Sequence, residues 1–203
     1  MSKVLIQMSM SLDGYVAGPN DSDVSGLGDG GQVLHQWMFA GGAPGEGLTG
    51  ADREVFDDLR GGIGAMVSGR RLYDITHGWE GSHPFGGLPA FVVTRNVPEV
   101  IPAGVTPFTF VTDGVASAVA QAKAAAAGKD VYVIGGASID QQLLDAGLAD
   151  ELRIDVVPVL LGGGIRLFGE LRNAPVELEQ IRVTSSKAVT HLRYRVLPRN
   201  AAG

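Results

Sequence analysis

Short apolar runs recur along this chain, and each gives way to a turn or to a helix-like pattern. Residues 4–10, 63–67, 90–93 and 131–134 are the clearest of them, and residues 108–111 follow the third with alternation. A strand that is apolar along its whole length has to be covered on both faces, which happens when helices cross over between parallel strands. The intervening segments supply such helices. Thr49 and Asp52 stand where a cap and a capping-box acid would open a helix, and Val55, Phe56 and Leu59 then share one of its faces. Residues 70–75 carry a short helical pattern, residues 115–127 an alanine-rich one stopped by Gly128, and residues 138–146 another. The pattern predicts an α/β fold, a mainly parallel central sheet with helices on both faces. Residues 152–161 read as a long apolar strand in which Pro158 marks an edge position or a bulge. Residues 176–196 hold two β-like stretches about Ser185-Ser186-Lys187, so a C-terminal antiparallel hairpin closes the sheet.

Composition narrows the function classes. With 203 residues, no internal repeat and no low-complexity linker, one domain over 1–203 is expected. The absence of cysteine excludes disulfides, thiol nucleophiles and thiolate metal sites. The four histidines lack helical pairing with carboxylates, so no metal site is expected. A net charge of -6 argues against nucleic acid and anionic membrane as partners, since phosphate backbones demand a cationic face. No apolar run approaches the roughly 20 residues of a membrane span. The opening Met1-Ser2-Lys3-Val4-Leu5-Ile6 is too short and polar for a signal peptide, and a cytoplasmic protein is expected.

The chemistry sits at the strand ends. Four of them carry unusual turns: Ser11-Leu12-Asp13-Gly14, Ser68-Gly69-Arg70-Arg71, Thr94-Arg95-Asn96 and Gly135-Gly136-Ala137-Ser138. In a parallel sheet these ends meet on one rim, the place where open α/β sheets bind ligands. Gly135-Gly136 leaves room for a pyrophosphate to reach backbone N–H groups at a helix start. Arg70, Arg71 and Arg95 offer guanidinium forks for further phosphates. Blander roles compete with each of these. A Gly-Gly pair also makes an ordinary turn, Asp13 also bonds its own backbone, and Asp52 also caps its helix. Trp37 and Trp79 fall in irregular segments, where they either wall a pocket for a flat ring or pack loops onto the domain.

Taken in order, Ser11-Leu12-Asp13-Gly14-Tyr15-Val16-Ala17, Ser68-Gly69-Arg70-Arg71-Leu72-Tyr73-Asp74, Val92-Val93-Thr94-Arg95-Asn96 and Val133-Ile134-Gly135-Gly136-Ala137-Ser138-Ile139 resemble the dihydrofolate reductase superfamily. The closer likeness is to the branch holding the C-terminal reductase domain of the riboflavin-biosynthesis deaminase-reductase. Ala149-Asp150-Glu151-Leu152, the run from Pro158 through Gly162-Gly163-Gly164, and Leu167-Phe168 are similar to that branch's late segment. The resemblance implies a dihydrofolate-reductase-like fold and an NADPH cofactor across the sheet rim. Gly69, Arg70, Arg71 and Leu72 would open a helix at its phosphates. Thr94 and Arg95 would read the 2′-phosphate, Gly135, Gly136, Ala137, Ser138 and Ile139 would hold the pyrophosphate, and Ala17 would flank the nicotinamide. Asp52 falls near the family's proton-donating acid, with Asp13 a second catalytic candidate. Asp13, Tyr15, Trp37 and Trp79 are the candidate substrate contacts. The chain departs from the pattern at Leu72, where Thr is common, at Tyr15, where riboflavin-pathway reductases carry Lys, and at Ile134, where they tend to carry Glu.

These expectations add up to an NADPH-dependent reductase acting on a C=N or C=O group of a small pterin- or pyrimidine-like heterocycle. The alternatives are a nucleotide-binding protein of the same fold without turnover, and a flavin or deazaflavin reductase. Related reductases pair, and the apolar segment 154–161 with the terminal hairpin suits a homodimer.

Overall fold

The computed structural model describes residues 2–22, 24–169 and 171–198. Strands and helices follow in the order β1 (Val4–Ser11), β2 (Tyr15–Ala17), α1 (Gly50–Gly62), β3 (Ile63–Gly69), α2 (Arg70–Ile75), β4 (Ala90–Val93), β5 (Phe108–Val111), α3 (Val115–Ala125), β6 (Asp130–Val133), α4 (Ala137–Asp145), β7 (Glu151–Val157), β8 (Ile165–Arg166), β9 (Leu178–Ser185) and β10 (Thr190–Val196). Two 3-10 turns, Gly31–His35 and His77–Gly81, interrupt the connections.

Eight strands form one sheet in the order β5-β4-β3-β6-β1-β7-β10-β9. The first six run parallel, and β10 and β9 close it as an antiparallel pair. Strands β2 and β8 make a separate two-stranded sheet. The architecture is the mainly parallel α/β sheet that the apolar runs predict, and its parallel strands bring the turns after β1, β3, β4 and β6 to one rim. After β5 the chain returns to insert β6 between β3 and β1, then places β7 on the far side of β1. Open sheets bind ligands where the chain reverses its direction of winding in this way.

The strands present different chemistry to the two sides. Val4 and Ile6 of β1, Val131 and Val133 of β6, and Leu152 and Ile154 of β7 form one apolar core with Ala118, Val119 and Ala122 of α3 and Leu143 and Leu144 of α4. Successive side chains along a strand alternate faces. The opposite face of β1, β7 and β10 therefore carries Gln7, Ser9, Glu151, Arg153, Asp155 and His191, all of them buried. Helix α1 lies over these polar groups, joined to them through Asp52 and Asp58.

Two local expectations are corrected. Strand β7 stops at Val157 and lies between β1 and β10, so Pro158 marks neither an edge nor a bulge. Proline has no N–H for a ladder and restricts the residue before it, and here it ends the strand. At the start of α1, Thr49 makes no side-chain cap bond. The Asp52 carboxylate turns instead to His191, because a charge-assisted bond is stronger than one to a neutral backbone donor.

Candidate active site

Below the rim a cleft of about 370 Å³ opens between the ends of β3, β6 and β1. Ala17, Gly69, Arg70, Arg71, Leu72, Gly136, Ala137, Ser138 and Ile139 line it, together with Met8, Ile134 and His35. Most of the residues expected at a dinucleotide thus come together on one concave surface. Close packing explains the glycine at the end of β3: a Cβ on Gly69 would stand 2.9 Å from Cγ1 of Ile139, so any side chain would push α4 away from β3. Gly135 has φ +105, and a Cβ there would meet Sδ of Met8 at 3.1 Å. Gly136 differs, because a Cβ on it would meet nothing within 4 Å. Its side-chain position opens onto the cleft at the N-terminus of α4.

The cations around the cleft are held in place. Nε of Arg70 donates to Asp74 at 2.7 Å, and its Nη1 donates to the carbonyl of Asn96 at 2.7 Å and to Oγ1 of Thr94 at 3.4 Å. This ties α2 to the turn after β4. Arg71 closes on Asp21 across the mouth, with Nε donating to the carboxylate at 2.9 Å and Nη2 to the Asp21 carbonyl at 3.0 Å. Thr94 is buried, and its hydroxyl donates to Asn96. Arg95 projects from the same rim and has no partner among the described residues. Neither Thr94 nor Arg95 lines the cleft itself.

The two candidate acids occupy other places. Oδ1 of Asp13 accepts from the Ser11 hydroxyl at 2.6 Å and from the N–H of Leu161 at 3.1 Å, while Oδ2 accepts from the N–H of Gly162 at 2.7 Å. The Ser11 bond, with these backbone donors, holds its pKa down at about 2 against the opposing effect of burial. Both oxygens of Asp13 are thus spent on tying the turn after β1 to the loop after β7. Asp52 lies at the end of a buried relay. Oδ1 of Asp52 is 3.1 Å from Nε2 of His191, Nδ1 of His191 is 2.6 Å from Oδ1 of Asp155, and Oδ2 of Asp155 accepts from Gln7 at 2.9 Å. Burial opposes a charge on His191, but the bonds and fields of Asp155 and Asp52 outweigh it and raise its pKa above the usual imidazole value. Neither Asp13 nor Asp52 lines the cleft.

The aromatic candidates divide. Trp37 is in the core, its Nε1 donating to Ser9 at 3.1 Å and its ring edge-on to His191 at 5.1 Å. Tyr15 lies under Arg166, whose guanidinium stands 4.6 Å from the ring centre and donates to the phenol at 2.9 Å. Trp79 lines a pocket of about 460 Å³ with Phe39, Gln32, Gln36, Thr76 and His35. That pocket shares Gly26, Leu27, His35, Leu72 and Ile75 with the cleft, so the two are adjacent. The segment His35-Gln36-Trp37-Met38-Phe39, which the sequence offers as a pocket wall, supplies His35, Gln36 and Phe39 to this lining but not Trp37.

The geometry agrees with what comparison finds. The chain matches the model of the RibD C-terminal domain over residues 2–192. The chain belongs to the RibD C-terminal domain family. The family is reductase-like. One relative is the uncharacterized protein YwjB of Bacillus subtilis, 26% identical over 171 residues, covering 84% of this chain and 85% of that protein. A crystal structure from Shewanella sp. PV-4, provisionally named a riboflavin biosynthesis protein, superposes with a TM-score of 0.72 at 25% identity, covering 97% of this chain and 99% of that one. The dihydrofolate reductase of Enterococcus faecalis, solved as a complex with NADP(H), shares the fold at 14% identity with a TM-score of 0.55, covering 96% of each chain. Members of this RibD branch therefore have a dihydrofolate-reductase-like sheet, as the ordered turns in the sequence imply. Among the described residues no helix is long and apolar enough to cross a membrane.

Proposed function

We propose that this chain is an NADPH-dependent reductase that delivers hydride to a C=N or C=O group of a small heterocycle. The observation that carries the reading is the cradle at Gly136, open on its side-chain side, at the N-terminus of α4 and on the floor of a cleft at the reversal point of the sheet. Helix starts carry unpaired N–H groups and a partial positive charge, which suits a pyrophosphate there. Arg70 and Arg71 border the same cleft, and Arg95 stands free on the rim beside Thr94 for a 2′-phosphate, which needs a cationic partner where a bare ribose favours an acid. A bound nicotinamide dinucleotide would supply the hydride, and the protein's part is to fix its position and keep water out. Met8, Val16, Ala17, Ile134 and Ile165 provide the apolar wall for that purpose.

Titration of the purified protein with NADPH, read by nicotinamide fluorescence, tests the cleft. Arg95→Ala is expected to weaken NADPH by about tenfold while leaving NADH unchanged, since one charge-assisted phosphate contact is lost. Equal wild-type affinity for the two cofactors removes the role of Arg95. Oxidation of NADPH by members of a pterin, pyrimidine and aldehyde panel tests turnover, and tight binding without oxidation favours a non-catalytic nucleotide-binding protein. The same proposal includes a second copy of the chain as partner. Strand β9 is the outer edge of the large sheet and exposes Leu178, Ile181 and Val183. Light scattering that gives a monomer mass at micromolar concentration counts against it.

A further inference from the structure

The pocket beside the cleft says what kind of molecule stands next to the cofactor, and this step rests on the cleft being the dinucleotide site. The pocket adjoins the cleft, and Leu72 and Ile75 line both, so its occupant stands next to the end of the cleft. Trp79 and Phe39 give it aromatic walls. Trp79 is braced, lying parallel to Phe108 at 6.3 Å and edge-on to His83 at 4.7 Å. Such a wall suits the face of a flat ring.

The polar lining is Gln32, Gln36, Thr76 and His35, with no lysine, arginine or acid among them. Burial disfavours a positive charge on the two histidines at this place. Burial holds His35 below the ordinary imidazole pKa although Asp155 pulls the other way, and burial pushes His83, behind Trp79, down to about 4. The guanidinium groups of the cleft wall are engaged elsewhere, Arg70 with Asp74 and Asn96 and Arg71 with Asp21. A phosphate in this pocket would find no guanidinium fork among its lining residues, so it gains nothing there over water. Meanwhile the His35 ring has no hydrogen-bond partner among the described residues: its Nδ1 is sealed from solvent unpaired, and the residue lines both cavities.

We infer that the pocket takes a flat, uncharged heterocycle bearing no phosphate, stacked against Trp79 and hydrogen-bonded by His35 and the glutamine amides. The substrate is thus a base, nucleoside or similar neutral compound. Gln36 is exposed at the pocket wall, so a cation introduced there alters charge without disturbing the core.

Calorimetric binding with and without saturating NADP⁺, which cannot pass on hydride, tests this directly. Two ligand pairs serve as probes: 5-amino-6-(ribosylamino)uracil and its 5′-phosphate, and riboflavin and its 5′-phosphate. At least one neutral member is expected to bind about tenfold or more tightly than its phosphate ester, and Gln36→Arg should shift the ratio toward the ester by about tenfold. The inference is overturned if the esters bind as well as or better than their neutral partners, or if no neutral member binds. It is also overturned if Gln36→Arg leaves the ratio unmoved. A wild type that gives no heat with NADP⁺ yet still prefers the neutral probe sinks the reading of the cleft and leaves that of the pocket standing.

Discussion

The two faces of strands β1, β7 and β10 are built on opposite principles. Toward α3 and α4 the strands present Val4, Ile6, Leu152 and Ile154, whose contacts are non-directional and scale with buried area. Toward α1 they present Gln7, Ser9, Glu151, Arg153, Asp155 and His191, whose burial is tolerable only if each atom finds a partner at the right place. Most do. Glu151 sits among Lys3, Arg153 and Arg193, and although burial works against it, their bonds and charges lower its pKa to about 2. Some atoms stay unpaired, among them Oε1 of Gln7 and Nε of Arg153. The difference teaches that one face supplies stability through area while the other depends on each charge being held by a partner, down to the contacts with α1.

The largest expected effect breaks the polar face. Asp155→Ala leaves His191 and Gln7 without their acceptor, and urea denaturation should show a loss of about 4 kcal/mol, as when one partner of a buried pair is removed. A loss below about 1 kcal/mol would mean that water or relaxation replaces the carboxylate and that the two faces do not differ in kind. Leu143→Ala on the apolar face should cost about 3 kcal/mol, the transfer and cavity terms of a fully buried leucine. Its effect should vary little with pH, whereas that of Asp155→Ala should vary strongly.

Asp140 tests the rule from the other side, being a carboxyl on α4 that is almost fully buried with neither oxygen bonded. Burial raises its pKa well above the ordinary value. In the unfolded chain it ionises near its normal pKa, so the folded state pays nothing below that pH and loses stability as pH rises toward the raised value. Asp140→Asn should therefore stabilise by about 1 to 3 kcal/mol at pH 7 and by little at low pH. A wild type whose stability does not fall relative to the variant across that interval refutes the assignment. The smallest effect is Trp37→Phe, which removes the indole bond to Ser9 and should cost about 1 kcal/mol by the same denaturation assay.

Much of this fold could be read from residue order, because an apolar run followed by a glycine turn and a helical pattern is local information. The gathering of Gly69, Arg70 and Gly136 on one rim follows from strand direction alone. Pro158 was legible only in part, since a proline that ends a strand and one that sits at an edge look alike in one dimension. The polar face left a trace as well: Glu151, Arg153 and Asp155 alternate with Leu152, Ile154 and Val156. Charged residues at every second position normally mean a wet face, and nothing short of seeing α1 laid across them says otherwise. The Asp52–His191–Asp155 relay joins residues 139 and 36 positions apart, so no spacing rule reaches it. Trp37 and Trp79 look alike in sequence, and only the folded chain separates the core indole from the one at a pocket.

The late insertion of β6 between β3 and β1 has a consequence for synthesis. A nascent chain that has emerged from the ribosome only as far as α3 owns both walls of the crevice but not its floor, and it carries two unpaired strand edges facing a vacant slot. Until β6 arrives to fill it, those edges stay open to pairing with strands of other chains.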